Sequence, residues 1–316
     1  MKIELPNNIA RLIDRTHEDQ AEPPRPHMGC SVLGHPCDRW LWLSFRWAVI
    51  ERFSGRMLRL FRRGHLEEIQ ILKDLESIGV KIDTTQERVN FGGHISGSLD
   101  GIASSGVPGA EKSPHVLEFK THSEKSFKEL AAKGVQTAKP MHWAQMQLYM
   151  LGTGLKRALY VAVNKNTDEL HTERVKFDKA AAERLLERGR RIVASNEMPP
   201  GISNDPSWYQ CKFCPAHDLC HGSKLTQEVN CRTCAHSTPM GNSTWRCERW
   251  DFDNIPIENQ RTGCEAHTLH PDLVPWEQGD SSDGLTAVYI IDGKPVENKN
   301  SRELIENVKG LSTTGH

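Results

Sequence analysis

The stretch that most constrains this chain is Cys211-Lys-Phe-Cys-Pro-Ala-His-Asp-Leu-Cys220, which sets three thiols at C-x2-C-x5-C spacing. A closed metal site needs four ligands, and zinc is the default occupant of a cysteine quartet. The fold must therefore carry a fourth donor to this segment. Two cysteines lie far upstream, Cys30 and Cys37. A second set follows, Cys231, Cys234, Cys247 and Cys264, spaced C-x2-C-x12-C-x16-C. Its tight first pair opens like a zinc knuckle. Trp245 and Trp250 are placed to pack around it or to stack on bases, and His236 and His267 are substitute ligands. The nine cysteines divide into two quartets plus one. That count favours two metal sites over unliganded cysteines in a flexible tail.

Composition decides between metal and disulfide. Hydrophobic residues make up 37% of the 316, and mean hydropathy is −0.57. No apolar run approaches the ~20 residues that span a bilayer. The N-terminal segment lacks the apolar core of a signal peptide. The expectation is a cytoplasmic protein with no membrane partner, in a compartment where clustered cysteines bind metal more often than they form disulfides.

The net charge is −1, from 40 basic and 41 acidic residues, and by itself suggests no nucleic-acid partner. Residues 51–65 differ, with five arginines against one glutamate. Arg52, Arg56, Arg59 and Arg63 recur at helical spacing and would share one face. Such a stripe either neutralises phosphates or is a solvated helix face.

Along the chain, residues 1–25 read as a short helix and a Pro-rich linker. The apolar stretch 37–53 reads as a buried helix and 56–78 as a second, stopped at Gly79. Two strands joined at Gly92-Gly93 follow. Next come a strand through His115–Ser123, helices over 124–133 and 138–152, a strand pair, and a long helix over 178–195 ended by Pro199-Pro200. Residues 268–316 hold a hairpin and a short helix. This order implies a mixed α/β core.

The chemistry concentrates in Gly97-Ser-Leu-Asp-Gly101 and Leu117-Glu-Phe-Lys-Thr121. Residues two apart on a strand point the same way, so Glu118 and Lys120 share a face that Asp100 reaches if the strands pair. Two carboxylates beside a lysine suit a hard divalent cation, which would polarise a phosphate and activate water. Alone, the triplet also describes an ordinary surface salt bridge. His65 upstream, Gln145 and Tyr149 in a Q-x3-Y downstream, and the flanking cysteines shift the balance.

The ordered set of His65, G-x-x-D, E-x-K, Q-x3-Y and C-x2-C-x5-C resembles the PD-(D/E)XK nuclease superfamily. More narrowly it resembles RecB-type exonucleases, including CRISPR-associated and phage-encoded members with an iron–sulfur cluster. The resemblance covers residues 28–222, and Leu99 stands where the motif's name-giving proline would be. It implies that His65, Asp100 and Glu118 ligate Mg2+ or Mn2+, with the Phe119 carbonyl as a further ligand. Lys120 would be the catalytic lysine, and Gln145 and Tyr149 would support the site and contact the DNA strand. His142 reads as a packed or surface histidine. Cys37, which begins "CDRWLW", would complete a 4Fe-4S cluster with Cys211, Cys214 and Cys220, in preference to Cys30. The cluster would staple the N-terminal helix to the C-terminal segment.

The implied fold is a restriction-endonuclease-like mixed sheet flanked by helices, with an iron–sulfur staple and a small C-terminal zinc module. The divisions are an N-terminal helix and linker over 1–27, a nuclease domain over 28–225, a zinc module over 226–267 and a tail over 268–316. The implied activity is a metal-dependent DNA exonuclease acting on free ends in recombination, repair or phage replication. Recombination or replication proteins would be its partners, and a bacterial host's cytoplasm its location if it is phage-encoded. A non-catalytic nucleic-acid-binding protein has no need of the Asp100/Glu118/Lys120 set. An endonuclease would need a base-reading element that nothing in the sequence marks.

Overall fold

In a computed structural model that describes residues 8–222, 224–281 and 285–312, the chain begins with α1 (Asn8–Asp19), β1 (Met28–Gly29), α2 (Asp38–Phe45) and α3 (Gly55–Ser77). Four short strands follow, β2 (Lys81–Thr85), β3 (Arg88–Asn90), β4 (Ile95–Ser98) and β5 (Gly101–Ser105), and then the long β6 (His115–His122). Helices α4 (Glu124–Ala138) and α5 (Pro140–Thr153) lead to β7 (Arg157–Asn164), β8 (Leu170–Lys176) and α6 (Lys179–Ala194). The cysteine-rich part holds α7 (His217–His221), β9 (Ser237–Pro239), β10 (Trp245–Cys247) and α8 (Ile257–Thr262). The chain closes with β11 (Glu277–Gly279), β12 (Ala287–Ile291), β13 (Lys294–Asn298) and α9 (Ser301–Ser312).

The main sheet runs β2-β5-β6-β7-β8. Its β6–β7 pair is parallel, with Glu118 opposite Tyr160 and Lys120 opposite Ala162, and its other pairs are antiparallel. The α4–α5 crossover supplies the length that a parallel connection needs. Covered on both faces, β7 reads as a near-continuous apolar run, Ala158–Val163, whereas β6 interrupts its apolar residues with Glu118 and Lys120. Leu117, Phe119, Leu159, Val161 and Val163 pack toward Ile71 and Leu75 of α3. Val116, Ala158, Tyr160 and Ala162 share the opposite core with Leu130, Met146 and Met150 of α4 and α5.

Local chemistry explains most boundaries. The Cys37 thiol caps α2 by accepting from the Trp40 amide at 3.4 Å, and Asp178 caps α6 through the Ala181 amide at 2.9 Å. Gly154 ends α5 at φ 75°, the left-handed closure glycine permits. The Gly92-Gly93 turn joins β3 to β4 as expected.

Two expectations need amendment. The apolar stretch 37–53 is helical only through Phe45, because Arg46 is drawn inward to the Arg232 carbonyl at 3.3 Å and the Asn196 side chain at 3.1 Å, and Trp47 takes φ 51°. Gly97–Gly101 is not one strand either. It breaks at Leu99-Asp100, so that β4 pairs with β3 while β5 joins the main sheet. In addition, the cysteine-rich segment shares the main apolar core. Trp245, Ile255, Leu269 and Leu273 pack in one cluster with Leu41, Trp42 and Phe45. The Arg232 guanidinium lies 3.8 Å from the Trp47 ring centroid and donates to the Phe45 carbonyl at 3.1 Å.

Candidate active site

The break at Leu99-Asp100 places the first carboxylate. Asp100 Oδ2 accepts from the Phe119 amide at 2.7 Å, which fixes the loop against the middle of β6. Glu118 and Lys120 project from one face of β6, as strand alternation requires. Their side chains form an ion pair, and the Lys120 ammonium also donates to the Phe119 carbonyl at 3.0 Å. Gln145 Nε2, one turn along α5, donates to Glu118 Oε2 at 3.2 Å and reaches the Tyr149 hydroxyl at 3.1 Å. Tyr149 in turn donates to the Ser98 carbonyl at 2.6 Å. That last contact needs Gly97, since a Cβ there would lie 2.9 Å from the Tyr149 ring.

Glu118 is fully buried. Burial raises its pKa to about 7, the Lys120 ammonium pulls against that, and the Asp100 and Glu68 carboxylates add to it. Burial works to lower the Lys120 pKa, but the Glu118, Asp100 and Glu68 carboxylates outweigh it, so the ammonium titrates above the usual lysine range.

Glu68 is the residue that sequence reasoning missed. It sits one turn beyond His65 on α3, and burial and the Asp100 carboxylate both raise its pKa. His65 itself is 76% exposed and contacts Glu68 at 3.4 Å. The only available signal was spacing, because i and i+3 share a helix face, and the adjacent Glu67 offered an equal claim.

An open groove of about 1930 Å³ runs from the N-terminal linker along α3 to Phe119, Lys120 and Thr121. Of the four arginines predicted to face DNA, Arg52 lines it while pairing with Glu228 at 2.7 Å. Arg59 is engaged with Asp14 of α1 at 3.1 Å, Arg63 donates to the Lys165 carbonyl at 3.3 Å, and Arg56 is exposed. Arg25, Arg62 and Lys165 also line the groove.

The structure brings the first cysteine quartet together. Cys37, Cys211, Cys214 and Cys220 line one cavity of about 20 Å³. Burial raises the pKa of Cys214 and of Cys220, and neighbouring thiols, Cys37 among them, add to it in both. Arg39 bonds Cys220 and works in the opposite direction. Cys30 stands apart, fully buried against Gly97, where a Cβ would lie 3.0 Å from its sulfur. The second quartet also gathers. Burial pushes Cys231 up to about 12, and Cys234, Cys264 and Cys247 each push it further. His267 is buried with Nε2 at 2.9 Å from the Asn230 carbonyl, His236 reaches the Leu285 carbonyl at 2.7 Å, and Trp250 is 63% exposed. All nine thiols are free. Among the described residues, no three His, Cys, Asp or Glu side chains stand at the close separation of an assembled metal shell. At the acidic site, Lys120 occupies the Glu118 carboxylate and the Phe119 amide holds Asp100.

A mixed sheet flanked by helices, with two carboxylates and a lysine gathered on a central strand, is a restriction-endonuclease-like arrangement. The family model described as the PD-(D/E)XK nuclease superfamily matches residues 8–221, and the chain belongs to that superfamily. A comparison with curated proteins finds no match. Among solved structures, the chain is similar to SSO0001 at 16% identity, covering 68% of this chain and 96% of that one, with a TM-score of 0.42. It is similar to an alkaline exonuclease from Laribacter hongkongensis at 15% identity, covering 57% and 91%, with a TM-score of 0.37. A phage related exonuclease from Haemophilus somnus 129PT is similar at 17% identity, covering 56% and 96%, with a TM-score of 0.36. Among the described residues no helix is long and apolar enough to cross a membrane.

Proposed function

We propose that this chain is a metal-dependent deoxyribonuclease of the exonuclease type, hydrolysing phosphodiester bonds in recombination, repair or phage DNA replication. The observation that carries the reading is the convergence of Asp100, Glu118 and Lys120 on β6, at the end of a groove that opens to solvent. The donor chemistry fits a hard divalent cation. Three carboxylates, Asp100, Glu118 and Glu68, influence one ammonium, and burial raises Glu118 to about 7 in spite of Lys120, with Asp100 and Glu68 adding to the rise. Asp100, Glu118 and the Phe119 carbonyl would hold Mg2+ or Mn2+, with His65 as the superfamily pattern assigns and Glu68 on the same side of α3. When bound, the cation supplies polarisation of a phosphoryl oxygen and a water of lowered pKa.

The chain's own residues do the positioning. Lys120, held charged by its carboxylates, orients the attacking water and balances developing negative charge on the phosphate. Gln145 fixes the buried face of Glu118, and Tyr149 ties α5 to the loop that carries Asp100. Arg62 and Lys165 neutralise phosphates along the groove and the exposed Arg56 and Arg63 extend the charge along α3, while Arg52 and Arg59 join them on leaving Glu228 and Asp14.

Cys37, Cys211, Cys214 and Cys220 fit a 4Fe-4S cluster in number and donor type, with Arg39 offsetting thiolate charge. Cys231, Cys234, Cys247 and Cys264 fit a structural zinc site. The nuclease domain then spans 28–225, with the zinc module packed into its core. The test is degradation of linear DNA with and without magnesium, beside the Lys120→Ala variant. Magnesium-independent inertness of the wild type would overturn the reading.

A further inference from the structure

The groove that leads to Lys120 carries two exposed aromatic rings that the chemistry at Asp100, Glu118 and Lys120 does not use. Phe53, in the segment before α3, and Phe61, on α3, both line it, and each is 40% exposed. Their rings meet edge to face, with centroids 4.9 Å apart and planes at 85°. That arrangement covers one face of only one ring. A single exposed apolar side chain needs no explanation, but two in mutual contact, open to solvent inside a concave path to the acidic site, mark a binding surface. Each ring also has an arginine as its chain neighbour on the groove wall, Arg52 beside Phe53 and Arg62 beside Phe61.

Helix α3 sets the distance from these rings to the site. Phe61, His65 and Glu68 recur at i, i+4 and i+7 and share one helix face. At Gly64 the helix passes close to β6, where a Cβ would lie 4.0 Å from the Thr121 hydroxyl, one residue beyond Lys120. From Phe61 to Glu68 the helix rises about 10 Å, the length of roughly three stacked nucleotides. Among the described residues, five lysines and arginines and five glutamates line the groove. Net charge therefore gives a phosphate backbone little hold, and contact with the bases has to supply the rest.

We propose that Phe53 and Phe61 form a stacking platform for unpaired bases, and that the groove admits DNA as a single strand. The inference rests on the nuclease reading of the Lys120 site and names the form of its substrate. Every base has a π-face, so such a platform accepts any sequence. A duplex keeps its bases stacked on one another and presents only their edges and its phosphates. An unpaired base can lie on an open ring face of the pair, with Arg62 beside it for the adjoining phosphate. A base held there stands about three nucleotides from the phosphate at the acidic site.

The test is binding of the full-length protein to a single-stranded oligonucleotide of mixed sequence in chelator, read by fluorescence anisotropy, so that no hydrolysis is needed. Phe61→Ala and Phe53→Ala should each weaken binding about tenfold. Phe61→Trp should restore it, whereas Phe61→Leu, which keeps an apolar side chain, should not. Affinity for blunt duplex should change less than twofold in all four, and the thermal midpoint should hold. A strand of abasic nucleotides should bind the wild type about tenfold more weakly than the mixed strand. Phe61→Ala should add nothing to that loss, because ring and base act as one contact. Single-strand binding within twofold of wild type in Phe61→Ala, full binding by Phe61→Leu, additive losses, or a wild type that prefers duplex overturns the inference. A wild type that binds single strands through these rings but hydrolyses nothing in magnesium overturns the nuclease reading instead and leaves the platform standing.

Discussion

Asp100 and Phe119 are joined by one hydrogen bond, carboxylate Oδ2 to backbone amide at 2.7 Å, and through it a loop between two sheets is locked to the middle of the central strand. The bond uses one carboxylate oxygen and leaves the charge of the group available to the site.

Asp100→Asn should therefore separate fold from chemistry. The amide oxygen can still accept from Phe119, so the thermal midpoint should stay close to that of the wild type, while nuclease activity falls at least a hundredfold with the loss of a hard anionic donor. Asp100→Ala should lose activity equally and, in addition, about 1 kcal/mol of stability with the hydrogen bond. Urea unfolding of both variants distinguishes the two effects.

Gln145→Leu leaves Glu118 Oε2 buried without its donor. An unsatisfied buried acceptor costs roughly 1–3 kcal/mol, so the urea midpoint should drop and activity with it. Tyr149→Phe, which removes the Ser98 contact, should behave similarly but more mildly.

Glu118 gives a pH dependence of definite sign. Its folded pKa is raised by burial to about 7, above the ordinary 4.5 of a glutamate. Between those values the folded state holds a proton that the unfolded state has released, so this group's contribution to stability falls as pH rises from 4.5 to about 7 and is constant above. Divalent metal needs the ionised form. Thermal stabilisation by Mg2+ or Mn2+ should thus be small at pH 5.5 and larger at pH 8, a contrast that Glu118→Gln should abolish.

Cys37→Ser should remove the visible absorption of anaerobically purified protein and lower its thermal midpoint, while Cys30→Ser should leave the absorption intact. Cys37 lines the cavity of Cys211, Cys214 and Cys220, whereas Cys30 packs against Gly97. A Cys37→Ser protein that keeps its colour would contradict the cluster assignment.

The strand chemistry was legible because alternation fixes it. Once β6 is a strand, Glu118 and Lys120 share a face whatever surrounds them. The gathering of Cys37 with the 211–220 thiols was legible only through family resemblance, since no local rule links residues so far apart. Glu68 was not legible, because Glu67 beside it is chemically identical and only packing against the sheet chooses between them. The end of α2 at Phe45 was hidden for a related reason. Arg46 turns inward to carbonyls of Arg232 and Ser237, contributed by a segment nearly two hundred residues away. The arginine stripe holds its helical period only from Arg56 onward, because α3 starts at Gly55 and leaves Arg52 outside it, and Asp14 of α1 claims Arg59, a tertiary pairing that periodicity cannot foresee.

The most direct measurement is a timed digestion of end-labelled linear DNA by purified protein, with and without 5′ or 3′ end blocks, in magnesium and in chelator, beside Lys120→Ala. The account predicts magnesium-dependent release of label from free ends by the wild type and none by Lys120→Ala. Equal digestion by the two proteins, or no digestion by either, would contradict it.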